Sequence, residues 1–134
     1  MADHTPQIAI ITDDPGWHCR QLKQALAAHG LSSTYLSLTE CQLSIGEADR
    51  LITLPGFNDS LPLGVFVRGV PGGSLEQVIF RLDILHALVA LGVIVYNDPR
   101  AIERTVDKAM TSFLLKQAGL PVPGTWVCES RDKA

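Results

Sequence analysis

The sequence predicts an α/β fold, a mostly parallel sheet covered by helices on both faces. Three observations carry this. Short apolar runs at 7–12, 63–68 and 93–96 lack the polar alternation of a half-wet strand, so they read as strands buried on both faces. Between them, 17–30 and 74–92 place apolar residues at helical spacing. Strands and helices alternate along the chain, the order in which a helix crosses over between parallel strands.

The elements follow in turn. The run "QIAIIT" (7–12) is bounded by Pro6 and by Asp13-Asp14-Pro15-Gly16, which stop a strand. A helix follows over 17–30, with Trp17, Leu22, Ala25 and Leu26 near one face and Gly30 as the residue just past its end. The run "LSSTYLSL" (31–38) reads as a second strand. The stretch 40–63 is less regular, with one strand over Arg50 to Thr53 and a polar loop, "PGFNDSLP". "LGVFVR" (63–68) is the next strand, and Ser74 with Gln77 forms a capping-box pattern at a helix start. From there Leu75, Val78, Ile79, Leu82, Leu85 and Val89 trace one face up to Gly92. "VIVY" (93–96) is the last strand of a Rossmann-like sheet.

The pattern then changes. Asn97-Asp98-Pro99 starts a short helix, and a second helix is expected from about Thr105 to Ala118, ended by Gly119, Pro121 and Pro123. "GTWVC" begins a new extended segment with no strand after it to pair with. The expected organisation is an N-terminal domain over 1–97, followed over 98–134 by linker helices and the first strand of a truncated second domain.

The totals exclude several classes. A net charge of −3 offers no electrostatic footprint for nucleic acid or an anionic membrane. No apolar run approaches the roughly 20 residues of a membrane helix, and the start lacks the basic region of a signal peptide. The three cysteines, Cys19, Cys41 and Cys128, suggest neither a disulfide framework nor a zinc site, and the four histidines show no metal spacing. A cytoplasmic, reduced setting is expected.

The segment "VRGVPGGSLEQ" is the first candidate site. It places Arg68 at a strand end, then a glycine-rich turn, then a helix start whose free amides suit an anion. A phosphate-binding P-loop needs Lys and Ser or Thr after its second glycine; Gly64 and Gly69 have that separation, but Val70-Pro71 follows. The dinucleotide pattern G-x-G-x-x-G is absent as well. The turn is therefore either a general anion site or a corner needing glycine dihedrals. The pair Asp13-Asp14 suggests a phospho-receiver domain, but "RLITLPG" carries no acceptor Asp and no Lys lies between Lys23 and Lys108. These two acids read as capping and loop residues.

A longer pattern is more specific. Asn97, Asp98, Pro99 and Ile102, then Asp107-Lys108, then Gly119, Leu120, Pro121 and Pro123 resemble the segment that joins the N-terminal domain to the ATP-grasp domain in ATP-grasp ligases. The strand ending in Arg68, its glycine turn and long helix are similar to RimK-type carboxylate–amine ligases, most of all to glutamate ligases acting on tetrahydromethanopterin-type cofactors. The resemblance covers about 60–128 well and the first 60 residues by element order.

That resemblance implies an enzyme using ATP and Mg²⁺ to phosphorylate a small-molecule carboxylate, whose acyl phosphate an amine, glutamate, attacks to form an amide. It implies that Lys108 contacts the ATP phosphates, although helical position alone makes it a surface lysine. It places Arg68, Gly72, Gly73 and Ser74 on the substrate side of the cleft. The family's second phosphate lysine, adenine-contacting strand, glycine loop and Mg²⁺ ligands would all lie downstream of Trp126. The fragment alone is therefore expected to be inactive, and the apolar surface left open would favour homo-oligomers. The alternative is a stand-alone Rossmann-like binding or interaction module.

Overall fold

The structure, a computed structural model, describes residues 7–46 and 50–133. The chain divides into two compact units, Met1–Pro99 and Arg100–Ala134. The first runs β1 (Ile8–Ile11), α1 (Trp17–Ala28), β2 (Ser33–Leu36), a 3-10 turn (Leu38–Glu40), β3 (Gln42–Leu43), β4 (Ile52–Thr53), β5 (Gly64–Val67), α2 (Leu75–Ala90) and β6 (Ile94–Tyr96). Then come α3 (Pro99–Val106), α4 (Lys108–Gln117) and a second 3-10 turn (Arg131–Lys133).

Four strands form a parallel sheet in the order β2-β1-β5-β6. All of β1 is buried, as its unbroken apolar run requires. Its side chains alternate between faces. Ile8 and Ile10 pack with Cys19, Leu22 and Leu26 of α1, and with Tyr35 and Phe66. The crossovers β1-α1-β2 and β5-α2-β6 run in opposite directions along the sheet, and right-handed connections then put α2 on the other face. The buried Ala9, Ile11, Leu36 and Val65 and the helix residues Leu82, Ile84, Leu85 and Leu88 form that second layer. Each fully buried Ile or Leu contributes about 1.5–3 kcal/mol.

The helix faces differ from those expected. On α1 the buried residues are Cys19 and Leu26, while Trp17 and Ala25 are exposed. On α2 the buried set is Arg81, Leu82, Ile84, Leu85 and Leu88, while Leu75, Ile79 and Val89 face solvent. This helix carries apolar residues around most of its circumference, so spacing alone does not select the buried stripe. Helix cover is also unequal. On the α1 side the outer sheet edge stays open, with Ile94 and Tyr96 74% and 62% exposed.

The 40–63 region contains an unexpected element. The strand foreseen over 50–53 is β4, and it pairs antiparallel with β3. The loop that reads as polar carries Phe57, only 2% exposed, and Arg50 Nη1 donates to the Phe57 carbonyl at 3.2 Å. Further on, both expected helices form, but α3 runs on to Val106 and the second helix starts at Lys108 instead of about Thr105. Asp107 has extended backbone, and its carboxylate accepts from the Met110 amide at 2.9 Å, which caps a new helix at Lys108. The strand expected at "GTWVC" does not form. An extended segment becomes a strand only when another takes up its amides, and none does so among the described residues. No helix is long and apolar enough to cross a membrane.

Two cysteines are buried and one is exposed. The Cys41 thiol donates to the Ser37 carbonyl at 3.4 Å, and burial, helped by the nearby Glu40 charge, pushes its pKa from 9.0 up to about 12. The folded chain then holds a proton that the unfolded chain releases, so stability is full below the unfolded pKa and falls as pH rises toward about 12. Urea unfolding at stepped pH is expected to show this decline, and Cys41→Ala to flatten it. At pH 8 a thiol reagent should label Cys128 promptly, with Cys19 and Cys41 following only on unfolding.

Candidate functional site

The order of the sheet reverses between β1 and β5: β1 leads to β2 on one side, β5 to β6 on the other. Crossovers that leave in opposite directions open a crevice above the carboxyl ends of the two strands, the usual ligand edge of an open parallel sheet. The loops 12–16 and 68–74 lie there. In the first, Asp13 does not cap α1, whose N-cap is Gly16 without a side-chain bond. Its carboxylate instead accepts from the Ser37 hydroxyl, tying the end of β1 to the chain after β2. The Asp14 amide donates to Thr12 Oγ1 at 3.2 Å, closing the turn. Neither acid caps the helix, contrary to expectation.

The glycine-rich turn is held from beneath by a residue that the sequence reading missed. Arg81, on the buried face of α2, donates from Nη1 to the carbonyls of Pro71 (2.8 Å) and Gly72 (3.0 Å). An arginine inside an otherwise apolar stripe was the available signal, since a buried guanidinium needs acceptors. The turn does not rely on glycine dihedrals: Gly69, Gly72 and Gly73 all lack positive φ. What Gly73 supplies is space. A methyl group there would lie 3.0 Å from Arg81 Nη1 and 3.2 Å from Gln77 Cβ, whereas one at Gly72 would meet nothing within 4 Å.

The helix start beyond the turn is engaged internally. Ser74 Oγ accepts from the Gln77 amide at 3.3 Å, and Gln77 Oε1 accepts from the Ser74 amide at 3.0 Å, completing the expected capping box. Ser74 also donates to Glu76 Oε2 at 2.8 Å. The Glu76 backbone amide and the Ser74 hydroxyl together hold the Glu76 carboxyl below its ordinary range. The anion at this helix terminus is the chain's own carboxylate.

Arg68 is placed differently. Its amide donates to the Ile11 carbonyl at 2.9 Å, continuing the β1–β5 pairing by one step. It lines a cavity of about 290 Å³ with His18, Leu22, Phe66, Val67, Tyr96 and Asn97. Gly72, Gly73 and Ser74 are not among the residues lining it. Lys108 belongs to the second unit, exposed as the first residue of α4 beside its Asp107 cap. The cavity in that unit is lined by Ser112, Phe113, Lys116 and Val127 among others, with Lys116 as its cation.

These contacts predict opposite outcomes for adjacent glycines. Gly73→Ala is expected to cost about 1–3 kcal/mol in urea unfolding by overpacking against Gln77 and Arg81. Gly72→Ala should be neutral or slightly stabilising. Arg81→Met should cost about 2 kcal/mol through two lost charge-assisted bonds, with faster amide exchange in 70–74.

No family model matches the chain. It is 38% identical over 128 residues to the tetrahydromethanopterin:α-L-glutamate ligase of Methanosarcina acetivorans, covering 92% of this chain and 40% of that protein. The chain thus spans less than half the length of this relative. The ATP-grasp ligase PsnB complexed with precursor peptide PsnA2 and AMPPNP superposes with a TM-score of 0.64 at 23% identity, over 92% of this chain and 48% of PsnB. PsnB with a minimal precursor, Mg and ADP gives 0.63 at 22% identity, over 88% and 45%. A RimK domain ATP-grasp protein from Sphaerobacter thermophilus gives 0.63 at 22%, over 95% and 42%. The structural likenesses establish the fold, and the sequence likeness to the tetrahydromethanopterin:α-L-glutamate ligase runs through both units.

Proposed function

We infer that the chain is the N-terminal part of an ATP-dependent carboxylate–amine ligase. The complete enzyme phosphorylates a carboxylate with ATP, and an amine, the amino group of glutamate, attacks the acyl phosphate to give an amide, ADP and phosphate. The observation that carries this reading is the 38% identity with a glutamate ligase over 128 residues. It includes the Asp107-Lys108 junction as well as the sheet, so it is not a likeness of a common sheet alone.

The proposed residue roles draw support from placement. Lys108 is the first residue of α4, exposed beside the Asp107 carboxylate that caps the helix. A phosphate of ATP would meet its ammonium together with the first-turn amides that Asp107 leaves uncapped. Asp107 fixes where α4 begins, and hence where Lys108 stands. Arg68 serves the substrate side, with Gly72, Gly73 and Ser74 as the braced wall beside it. ATP would arrive with Mg²⁺, which would supply positive charge to offset that of the phosphates. Among the described residues no cluster of three His, Cys, Asp or Glu side chains could hold a metal, so the reading assigns none of them to it.

The uncovered apolar surface of α4 also favours a larger protein. Met110, Phe113, Leu114 and Leu115 are all exposed, and no residue of this helix is buried. A helix of this composition is stable in water only against a partner surface, and the remainder of an ATP-grasp half supplies one.

In the complete ligase, Lys108→Ala is expected to raise the KM for ATP about tenfold or more, the loss of one charged hydrogen bond. The KM for the carboxylate should stay within twofold. Unchanged ATP kinetics would overturn the role of Lys108. A complete protein that forms no ADP with any carboxylate and glutamate would overturn the ligase reading.

A further inference from the structure

The cavity at the carboxyl ends of β5 and β6 has a composition that suggests its ligand. Its parts come from simple spacings. Phe66 and Arg68 are two apart on one strand direction, so they share a side, and His18 and Leu22 are four apart on α1. Tyr96 is the register partner of Phe66 on β6, and the two rings meet edge to face at 5.7 Å between centroids. They make an aromatic wall at the margin of α1's cover, where Phe66 is partly buried against the α1 cluster and Tyr96 is 62% exposed. Asn97 follows directly.

The polar groups around this wall contrast with those of the glycine turn. Arg81, Ser74, Gln77 and Glu76 all engage one another or backbone. Among the described residues, the side chains of Arg68 and Asn97 and the Tyr96 hydroxyl make no hydrogen bond or ion pair. The His18 ring meets Trp17 edge on. A guanidinium, an amide and a hydroxyl without partners thus stand at the rim of an apolar aromatic wall, at the ligand edge of the sheet.

We propose that this cavity binds an aromatic carboxylate, its ring against Phe66 and Tyr96 and its carboxylate on Arg68. It deepens the ligase reading, on which it rests for the presence of a carboxylate substrate. A planar fork matches a carboxylate with two parallel bonds, and Asn97 can donate a third. Edge-to-face aromatic pairs extend readily to a further ring, at roughly 0.5–1.5 kcal/mol each. The volume, about 290 Å³, lies at the small end of ligand pockets and admits one ring with its acid group. A phosphate dianion fits less well, because the lining offers only one fixed cation, and Asp13 and Asp14 stand at the end of the neighbouring strand.

The test is NMR titration of the 134-residue chain with benzoate, acetate, benzamide and phenylphosphate. Benzoate is expected to bind about tenfold more tightly than acetate or benzamide, because only it meets both wall and fork. The shifts should centre on Phe66, Arg68 and Tyr96. Arg68→Gln should remove the preference over benzamide, and Tyr96→Ala the preference over acetate. The exposed Arg68 has no side-chain partner to lose, so an unchanged melting temperature certifies that variant as folded. Equal binding of benzoate, acetate and benzamide overturns the proposal. So do shifts centred elsewhere, an undiminished preference in Arg68→Gln, or tighter binding of phenylphosphate. These readouts need no turnover: benzoate binding without ligase activity in the complete protein sinks only the ligase reading, and activity without benzoate binding sinks only this site.

Discussion

The bond from the Arg68 amide to the Ile11 carbonyl is the last step of the β1–β5 pairing, and the candidate site hangs from it. It sets where the chain leaves the sheet and therefore where the Arg68 side chain emerges. The pairing beneath it holds because both strands are apolar on both faces, so a register slip would gain nothing on one side and lose packing on the other. Once β1 and β5 are neighbours and their crossovers leave in opposite directions, handedness sets the face that each helix covers. The crevice between loops 12–16 and 68–74 is thus a consequence of strand order. No side chain in either loop has to create it.

Two arginines, Arg68 just before the turn and Arg81 nine and ten residues beyond the carbonyls it holds, divide its demands. Arg81 is buried and engaged with carbonyls, so it is a fixed brace whose removal costs stability. Arg68 is exposed and unengaged, so its removal costs the fold little and its charge stays available. The turn needs the brace because it is an exposed loop of small residues with few apolar contacts of its own. Bracing it from below orients the start of α2, and the chain's own Glu76 then occupies the position that an external anion would take. The glycine run is consequently a rigid wall, and binding chemistry moves to the neighbouring strand ends.

The strands, their parallel order and the capping box were legible because each is local: an apolar run, a turn signal, a Ser with Gln three residues on. The buried face of α2 was not, since Leu75, Ile79 and Val89 are as apolar as Leu82, Ile84 and Leu88, and only the sheet decides between them. β3 was hidden because two residues carry no period. Phe57 was hidden inside a run of turn formers. Arg68 is singled out in the sequence by its place at a strand end and Lys108 by a motif, and both remain proposals, while Arg81 was masked by the apolar stripe around it. His18, Tyr96 and Asn97 carry no shared sequence signal. They come from a helix start and a strand end that only the β5–β6 register brings beside Arg68.

The second unit has local order without a core. Asp107 caps α4, and Gly119 ends it with φ 76°, yet no residue of α4 is buried. Caps contribute about 1 kcal/mol each, while a ten-residue helix in water lies below the length at which propensity alone sustains it. The balance must come from apolar burial, and the side chains for it are present: Met110, Phe113, Leu114, Leu115, Trp126 and Val127 are all exposed. A sequence that specifies both ends of a helix and supplies apolar residues along it is selected for a packed setting. The same residues therefore call for a packing partner from stability alone, independently of any role for Lys108.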